Sequence, residues 1–457
     1  MDFDMSVNFK EEFDKRNIQH VKLGATDLDG VLRGKYVAPE KFHSALDSSL
    51  GFCDVIFGWD SADVLYDHVE FTGWHTGYPD MVARIDPATF RLVPWEPGTA
   101  FFLMDLFERQ ADGTNRPCLL SPRQILQSVV AKARSMGFQP VCSVEYEFFV
   151  FRETPDSLRE KRFANLRPLS PGMFGYSVLR ASQNADLVHA ILDQLRDFKV
   201  DLEGFHTETG PGVYEAAIRY ADALEAADRA VLFKTGVKEI CSRHGAVPTF
   251  MAKWNRDLPG SSGHLHESLW DLEKKRNLFT DSSRPHRMSE TACYYLGGQL
   301  ALMADWMALI APTVNSYKRM VPGLWSPTKV SWGIDNRTAA IRWISASENA
   351  SRLEYRLAAA DSNPYLALAA SIASGLSGIE RRLQPAAPIV GNAYATDLPL
   401  LPSSLLEASR RFRASAEARQ VFGDSLVDHY ATTRDWECEQ FSRAVTDWEL
   451  QRYFEII

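Results

Sequence analysis

The sequence predicts an α+β fold in which a small sheet-forming region, residues 1–112, precedes a larger mixed region, residues 113–457. Three observations carry this expectation: an alternating pair of apolar segments around Asp29-Gly30, strand-like runs interleaved with long helical patterns in the middle of the chain, and a mostly helical end after Asn363-Pro364-Tyr365. From His20 to Val37 the chain alternates toward strand, with Asp29-Gly30 as a tight-turn signal between residues 21–26 and 31–37. The sheet region closes near residues 101–106, and the polar, turn-rich stretch 111–117 marks the boundary. Ser121 before Pro122 predicts a helix start, with Ile125, Leu126, Val129, Val130 and Ala133 on one face and Gly137 as the stop. A strand over 141–151 follows at once. A second helix opens at Asp222, with Glu225 three residues on in a capping-box pattern, and runs toward Gly245. Residues 247–253 read as a strand, 294–312 as a buried helix, 366–379 as an alanine-rich helix, and the Pro- and Ala-rich 384–402 as a surface loop.

With 457 residues, 45% of them apolar, the chain can bury a large core and divide into more than one domain. A net charge of -9 and the lack of any Lys/Arg-rich run exclude a general nucleic-acid binder, because phosphate backbones are held by a basic stripe. The six cysteines are scattered without paired spacing, and the N-terminus has no basic start followed by an apolar core, so a reduced, cytoplasmic protein is expected. The most apolar helical stretch, 294–312, is interrupted by Gln299 and Asp305, so no membrane span is expected.

The chemistry begins with Glu145 and Glu147, which alternation places on one face of an apolar strand. Two neighbouring anions either reach solvent at a strand end or bind positive charge. Glu208 and Glu215 bracket a Gly-Pro-Gly turn that either folds both carboxylates toward one ion or is a solvated loop. His264, His266 and Ser268 share one strand face, a His-x-His pair that is structural or metal-binding. Arg319, Arg337, Arg342, Arg352 and Arg356 lie in segments that otherwise read as buried or turn-forming, where planar donors form ordinary ion pairs or hold carboxylates and phosphates. Carboxylates with an occasional imidazole suit Mg²⁺ or Mn²⁺ better than zinc or copper, and with the arginines they describe a phosphoryl-transfer site.

The order and wording of these motifs resemble the glutamine synthetase family across nearly the whole chain. The resembling pieces are Val-Glu145-Tyr-Glu147-Phe-Phe, His-Thr-Glu208-Thr-Gly-Pro-Gly-Val-Tyr-Glu215, Gly263-His264-Leu-His266-Glu-Ser268, Asn315-Ser-Tyr-Lys-Arg319-Met-Val-Pro-Gly323, Asp335-Asn-Arg337-Thr-Ala-Ala-Ile-Arg342 and Arg352-Leu-Glu354-Tyr-Arg356. The resemblance implies a β-grasp-like N-terminal domain, a catalytic domain with a two-metal funnel, and a dodecamer of two stacked hexameric rings with active sites between subunits. It implies that Glu147, Glu208 and Glu215 hold one metal and that Glu145, His264 and Glu354 hold the other. It places Glu203, Tyr220, His266, Ser268, Arg342 and Arg352 at ATP, and Gly260, Arg319, Arg337 and Arg356 at glutamate and its phosphorylated form. Arg319, Arg337 and Glu354 thereby fall at the reacting groups.

The departures lie where the nitrogen donor would bind. Ammonia-using members continue after the Asn-Ser-Tyr-Lys-Arg motif into a loop with a glutamate that closes the site; here the loop reads Gly323-Leu-Trp325-Ser-Pro327, so Trp325 stands where the carboxylate would act. The Asp-Gly-Ser-Ser loop of those members is replaced by a segment carrying Asp54 and Asp60, and the tyrosine lining their ammonium site corresponds to Met173 or Tyr176. The expectation is a ligase joining glutamate to an organic amine, small alkyl or aromatic, through γ-glutamyl phosphate. The alternatives are a true glutamine synthetase, a polyamine or ethanolamine ligase, a metal-dependent hydrolase, and an inactive ring-forming relative.

Overall fold

The Asp29-Gly30 signal closes a hairpin in the computed structural model of the chain, which describes residues 8–457. Strand β1 (His20–Thr26) pairs antiparallel with β2 (Leu32–Val37). The Asp27 carboxylate accepts from the amides of Asp29 at 3.0 Å and Val31 at 2.9 Å, and Gly30 takes φ 78°. That left-handed conformation is one that glycine adopts without steric cost. The hairpin joins β3 (Leu50–Cys53), β4 (Asp80–Ile85), β5 (Arg91–Leu92), β6 (Thr99–Arg109) and β7 (Asn115–Pro117). Their order is β2-β1-β6-β4-β3, with β5 and β7 also on β6. The almost wholly buried, apolar first half of β6 makes it the natural centre of this sheet.

The second sheet holds β8 (Gln139–Phe151), β9 (Leu202–Thr207), β10 (Val213–Ile218), β11 (Ala221–Asp222), β12 (Val247–Thr249), β13 (Gly263–Trp270), β14 (Trp332–Ile334), β15 (Ile341–Ile344) and β16 (Arg352–Tyr355). Its order is β14-β15-β16-β13-β8-β10-β9, with β11 and β12 also on β8. Helix Pro122–Ser135 buries Ile125, Leu126, Val129 and Ala133 of the face its sequence pattern selects, and Val130 is half-buried beside them. Helix Ala223–Arg243 also forms, but not with the expected capping box. Asp222 pairs with Lys274 at 3.1 Å, and Glu225 is taken by Arg91 and Arg229 at 3.0 and 2.8 Å, so ion pairs outcompete the backbone for both carboxylates. The strand expected over 247–253 stops at Thr249; further on, the Lys253 amide donates to the Asn315 side chain at 2.8 Å. The helix expected over 294–312 is Glu290–Leu302, followed by a short 3₁₀ turn at Met307–Leu309.

Helix Pro364–Arg381 is capped by Asn363, whose side chain accepts from the Tyr365 amide. It crosses helix Glu290–Leu302 at glycines: a Cβ on Gly298 or Gly378 would overlap backbone of the opposite helix. The same Asn363 donates to the carbonyls of Asp27 and Leu28 at 3.1 and 3.2 Å, which ties the hairpin turn to the second sheet's helices. Arg434 adds an ion pair to Asp29 at 2.7 Å, and one apolar core runs through both sheets. Among the described residues, no helix is long and apolar enough to cross a membrane.

Candidate active site

Strand register brings the site together on one face of the second sheet. Glu145 on β8 lies opposite His264 on β13, and Glu147 lies opposite Glu215 on β10. Glu354 on β16 lies opposite both His266 on β13 and Arg342 on β15, while His206 on β9 lies opposite Glu215. Directly paired residues share a face, and so do residues two apart on one strand, so these eight side chains project to one side. All of them but His206 line a cavity of about 720 Å³, together with Tyr176, Glu208, Gly260, Arg319, Trp325, Arg337, Arg352 and Arg356.

The acidic end of the cavity is formed by Glu147, Glu208 and Glu215. Glu147 accepts from the Ser262 amide at 2.7 Å, and Glu208 from the amide and hydroxyl of Thr209, both at 2.9 Å. These contacts fix carboxylate orientations from the two flanking loops. His206 inserts between Glu208 and Glu215, at 3.8 and 3.0 Å, and ligand atoms of the three lie within 4.8 Å of one another. Its hydrogen bond with Glu215 raises His206 to about 9. Burial, opposed by His206 and reinforced by Glu145 and Glu147, pushes Glu215 up to about 8. Burial and the neighbouring carboxylates thus disfavour the charged form of Glu215, and a cation bound beside it would favour that form.

The other end is mixed. His264 Nδ1 lies 3.7 Å from Glu145 and 3.4 Å from Glu354, near enough for charge but without hydrogen-bond geometry, and neither ring nitrogen has a partner although the ring is buried. Burial, with Arg356 adding to it, lowers the His264 pKa and so favours the neutral ring, the form that ligates a metal. Burial opposes the charge on Glu145, but the imidazoles of His264 and His266 outweigh it and hold the carboxyl well below its usual range. Glu354 is buried between Arg356 and Arg342, with Arg342 at 2.9 Å; against burial, Arg356 leads the groups that lower it to about 2. Arg352 donates to His266 Nδ1 at 3.1 Å, which leaves Nε2 toward Glu145 at 3.4 Å. The carboxylates and the orphaned buried imidazole form an oxygen-rich donor set of the kind Mg²⁺ and Mn²⁺ prefer.

Arg319 is buried and donates to the carbonyls of Arg356 and Leu357, both at 3.3 Å. Its stem lies 2.7 Å from where a Cβ on Gly260 would stand, so the glycine makes room for the arginine. Burial lowers Arg319 to about 10, still cationic at neutral pH. Arg337 reaches the cavity from an exposed turn.

Some of the residues assigned from the sequence lie elsewhere. Glu203 is exposed near Arg219, Ser268 accepts from Trp270 Nε1 at 3.0 Å beyond the cavity on the His266 face, and Tyr220 lines a separate groove beside Asp222 and Trp270. Tyr176 lines the cavity, stacked on His206 at 4.3 Å between ring centroids, whereas Met173 does not. Asp54 is buried on the Thr72 hydroxyl at 2.7 Å, and Asp60 accepts from the amides of Ala62 and Val64 and from Trp436, so both carboxylates are consumed within the first sheet's surroundings. His206 has no role in the motif reading of the sequence; its signal there is its place two residues before Glu208, at the end of the strand that leads into that loop.

Comparison with known proteins supports a specific family. A family profile described as "Glutamine synthetase, catalytic domain" matches residues 119–453. The chain is 49% identical to the type-1 glutamine synthetase 2 of Dictyostelium discoideum, over 96% of this chain and 84% of the relative. It is 41% identical to a glutamate–isopropylamine ligase of a Pseudomonas species, over 99% and 98%. A solved GmaS/ADP complex superposes with a TM-score of 0.84 at 28% identity, covering 97% of this chain and 98% of that one.

Proposed function

Because the chain belongs to the glutamine synthetase family, we propose that it is an ATP-dependent carbon–nitrogen ligase that joins the γ-carboxylate of glutamate to an organic amine. The γ-carboxylate attacks the γ-phosphorus of ATP and ADP leaves. The neutral amine then attacks the γ-carbonyl carbon of γ-glutamyl phosphate, its extra proton is lost, and phosphate departs with the C–O bond. The observation that carries this reading is the single sheet face on which two groups of metal-type ligands stand beside five arginines in one cavity.

In this reading Glu147, Glu208 and Glu215 hold one divalent cation and Glu145, His264 and Glu354 a second, with Mg²⁺ or Mn²⁺ neutralising phosphate oxygens when bound. His266, Arg342 and Arg352 face ATP within the cavity, with Glu203, Ser268 and Tyr220 further out along its path. Gly260 opens space for Arg319, which with Arg337 and Arg356 holds glutamate and balances charge on the transferring phosphoryl group. Tyr176 and Trp325 form the amine side. An apolar ring in place of a carboxylate favours a carbon-bearing amine over the small ammonium ion. The reading includes an assembly of two stacked hexameric rings.

Phosphate release from ATP with Mg²⁺ and glutamate, measured across ammonium, methylamine, isopropylamine, ethanolamine, aniline and putrescine, tests the reading. An organic amine that exceeds ammonium at least tenfold in kcat/KM supports it. The name of the Dictyostelium relative favours a second reading, glutamine synthesis from ammonia, which wins if ammonium is the preferred donor. Silence with every amine selects an inactive structural relative.

A further inference from the structure

Trp325 lines two cavities. One is the catalytic cavity; the other is an adjoining groove of about 560 Å³ bounded by Ile334, Arg337, Pro388, Ile389 and Val390. The indole and the Arg337 side chain are therefore the shared wall between them. Trp325 sits at φ 61°, a conformation that bulky residues seldom adopt, and its carbonyl accepts from Arg356 at 3.4 Å. The opposite wall is fixed as well. Asn336 donates to the carbonyls of Ile389 and Gly391 at 3.2 and 2.8 Å, and Thr338 bridges Asn336 and the Ala393 amide. A groove whose walls are hydrogen-bonded in place is a preformed one.

The charge in the groove restricts what it can hold. Among the described residues its one carboxylate is Asp335, which is exposed and accepts from Arg342 Nε at 2.9 Å through Oδ1. Arg337 and His286 are its other ionisable lining groups, both basic. A second ammonium would meet one carboxylate already paired to a guanidinium, with Arg337 and His286 beside it, whereas alkyl or aryl carbon would meet Ile334, Pro388, Ile389 and Val390.

Resting on the ligase reading above, we infer that this groove is the subsite for the carbon substituent of the amine, entered past Trp325, and that it selects uncharged alkyl or aryl monoamines over diamines. Each buried methylene transfers with about 0.8 kcal/mol, roughly a fourfold gain in kcat/KM per carbon until the groove is filled.

The test compares butylamine with putrescine, which differ by one terminal ammonium, in the wild type and in Val390→Asp and Ile334→Asp. Val390 is almost fully exposed, so the first substitution leaves folding intact, and thermal midpoints verify both proteins. The wild type is expected to prefer butylamine at least tenfold and to improve from methylamine to butylamine. Either aspartate should raise the putrescine-to-butylamine ratio at least tenfold by supplying a carboxylate that no guanidinium pairs. A wild type that turns over amines with no chain-length preference, or variants whose ratio stays within twofold of wild type, would overturn the groove assignment while leaving the ligase reading intact. A wild type silent with every amine overturns the ligase reading, and the subsite with it.

Discussion

Glu354 is buried between two guanidiniums, and both imidazoles stand close to it. Glu354→Gln removes the charge but not the volume, leaving Arg342 and Arg356 facing a neutral amide. The expected outcome is a fall in kcat of at least ~100-fold with a loss of roughly 3 kcal/mol of stability, read from steady-state phosphate release and denaturant midpoints. His206 makes a separate case at the acidic end. Its ring orients Glu215 and approaches Glu208, so His206→Asn should weaken the apparent affinity for Mn²⁺ by ~10–100-fold, with a smaller effect at saturating metal. A titration of activity and of thermal midpoint against Mn²⁺ checks it; an unchanged half-saturation point would remove His206 from the site. At this scale alternation alone revealed Glu145 with Glu147 and His264 with His266, because period two is local. The meeting of Glu147 with Glu215, or of His266 with Glu354, depends on pairing between segments 68 and 88 positions apart; the motif resemblance carries the first of these and not the second.

Elements were legible where the signal was backbone chemistry and less so where side chains had competing partners. Pro122 and Gly137 bounded a helix that forms at Pro122–Ser135, whereas the Asp222/Glu225 box was lost to Lys274, Arg91 and Arg229. The strand over 247–253 shortened because the chain beyond it is drawn to Asn315. Glycines set a further constraint between elements. Gly298 and Gly378 allow two buried helices to cross at backbone contact, with Gly378 nitrogen against the position of a Gly298 Cβ. Gly298→Ala therefore requires helix Glu290–Leu302 to move from helix Pro364–Arg381, since backbone cannot rotate away as a side chain does. A destabilisation of roughly 3 kcal/mol is expected, at the upper end for a single added methyl, measured as a shift in guanidinium midpoint. A change below about 0.5 kcal/mol would mean that the crossing is looser than its geometry.

At the scale of the whole molecule, the two sheets are joined through buried polar contacts as well as the common core. Asn363 and Arg434 reach the hairpin turn, and His429, on helix Asp424–Arg443, contacts the Phe57 carbonyl at 2.9 Å in the first sheet's surroundings. Burial lowers His429 to about 4, with Arg434 adding to the effect against the pull of the Phe57 carbonyl. The ordinary value for an unfolded histidine is about 6.5, so between pH 6.5 and 4 the unfolded chain binds a proton that the folded chain does not. The sign follows: this contribution is fully present above pH 6.5, declines as pH falls, and is exhausted near pH 4. At about 1.4 kcal/mol per unit the loss approaches roughly 3 kcal/mol. His429→Gln keeps a donor for the Phe57 carbonyl but does not titrate, so its stability should fall less steeply between pH 6.5 and 4.5 than that of the wild type. Denaturant midpoints at three pH values in that window decide it. Parallel slopes for the two proteins would mean that acid loosening starts at another group, and the contact between helix Asp424–Arg443 and the first sheet would then be a joint that pH does not open.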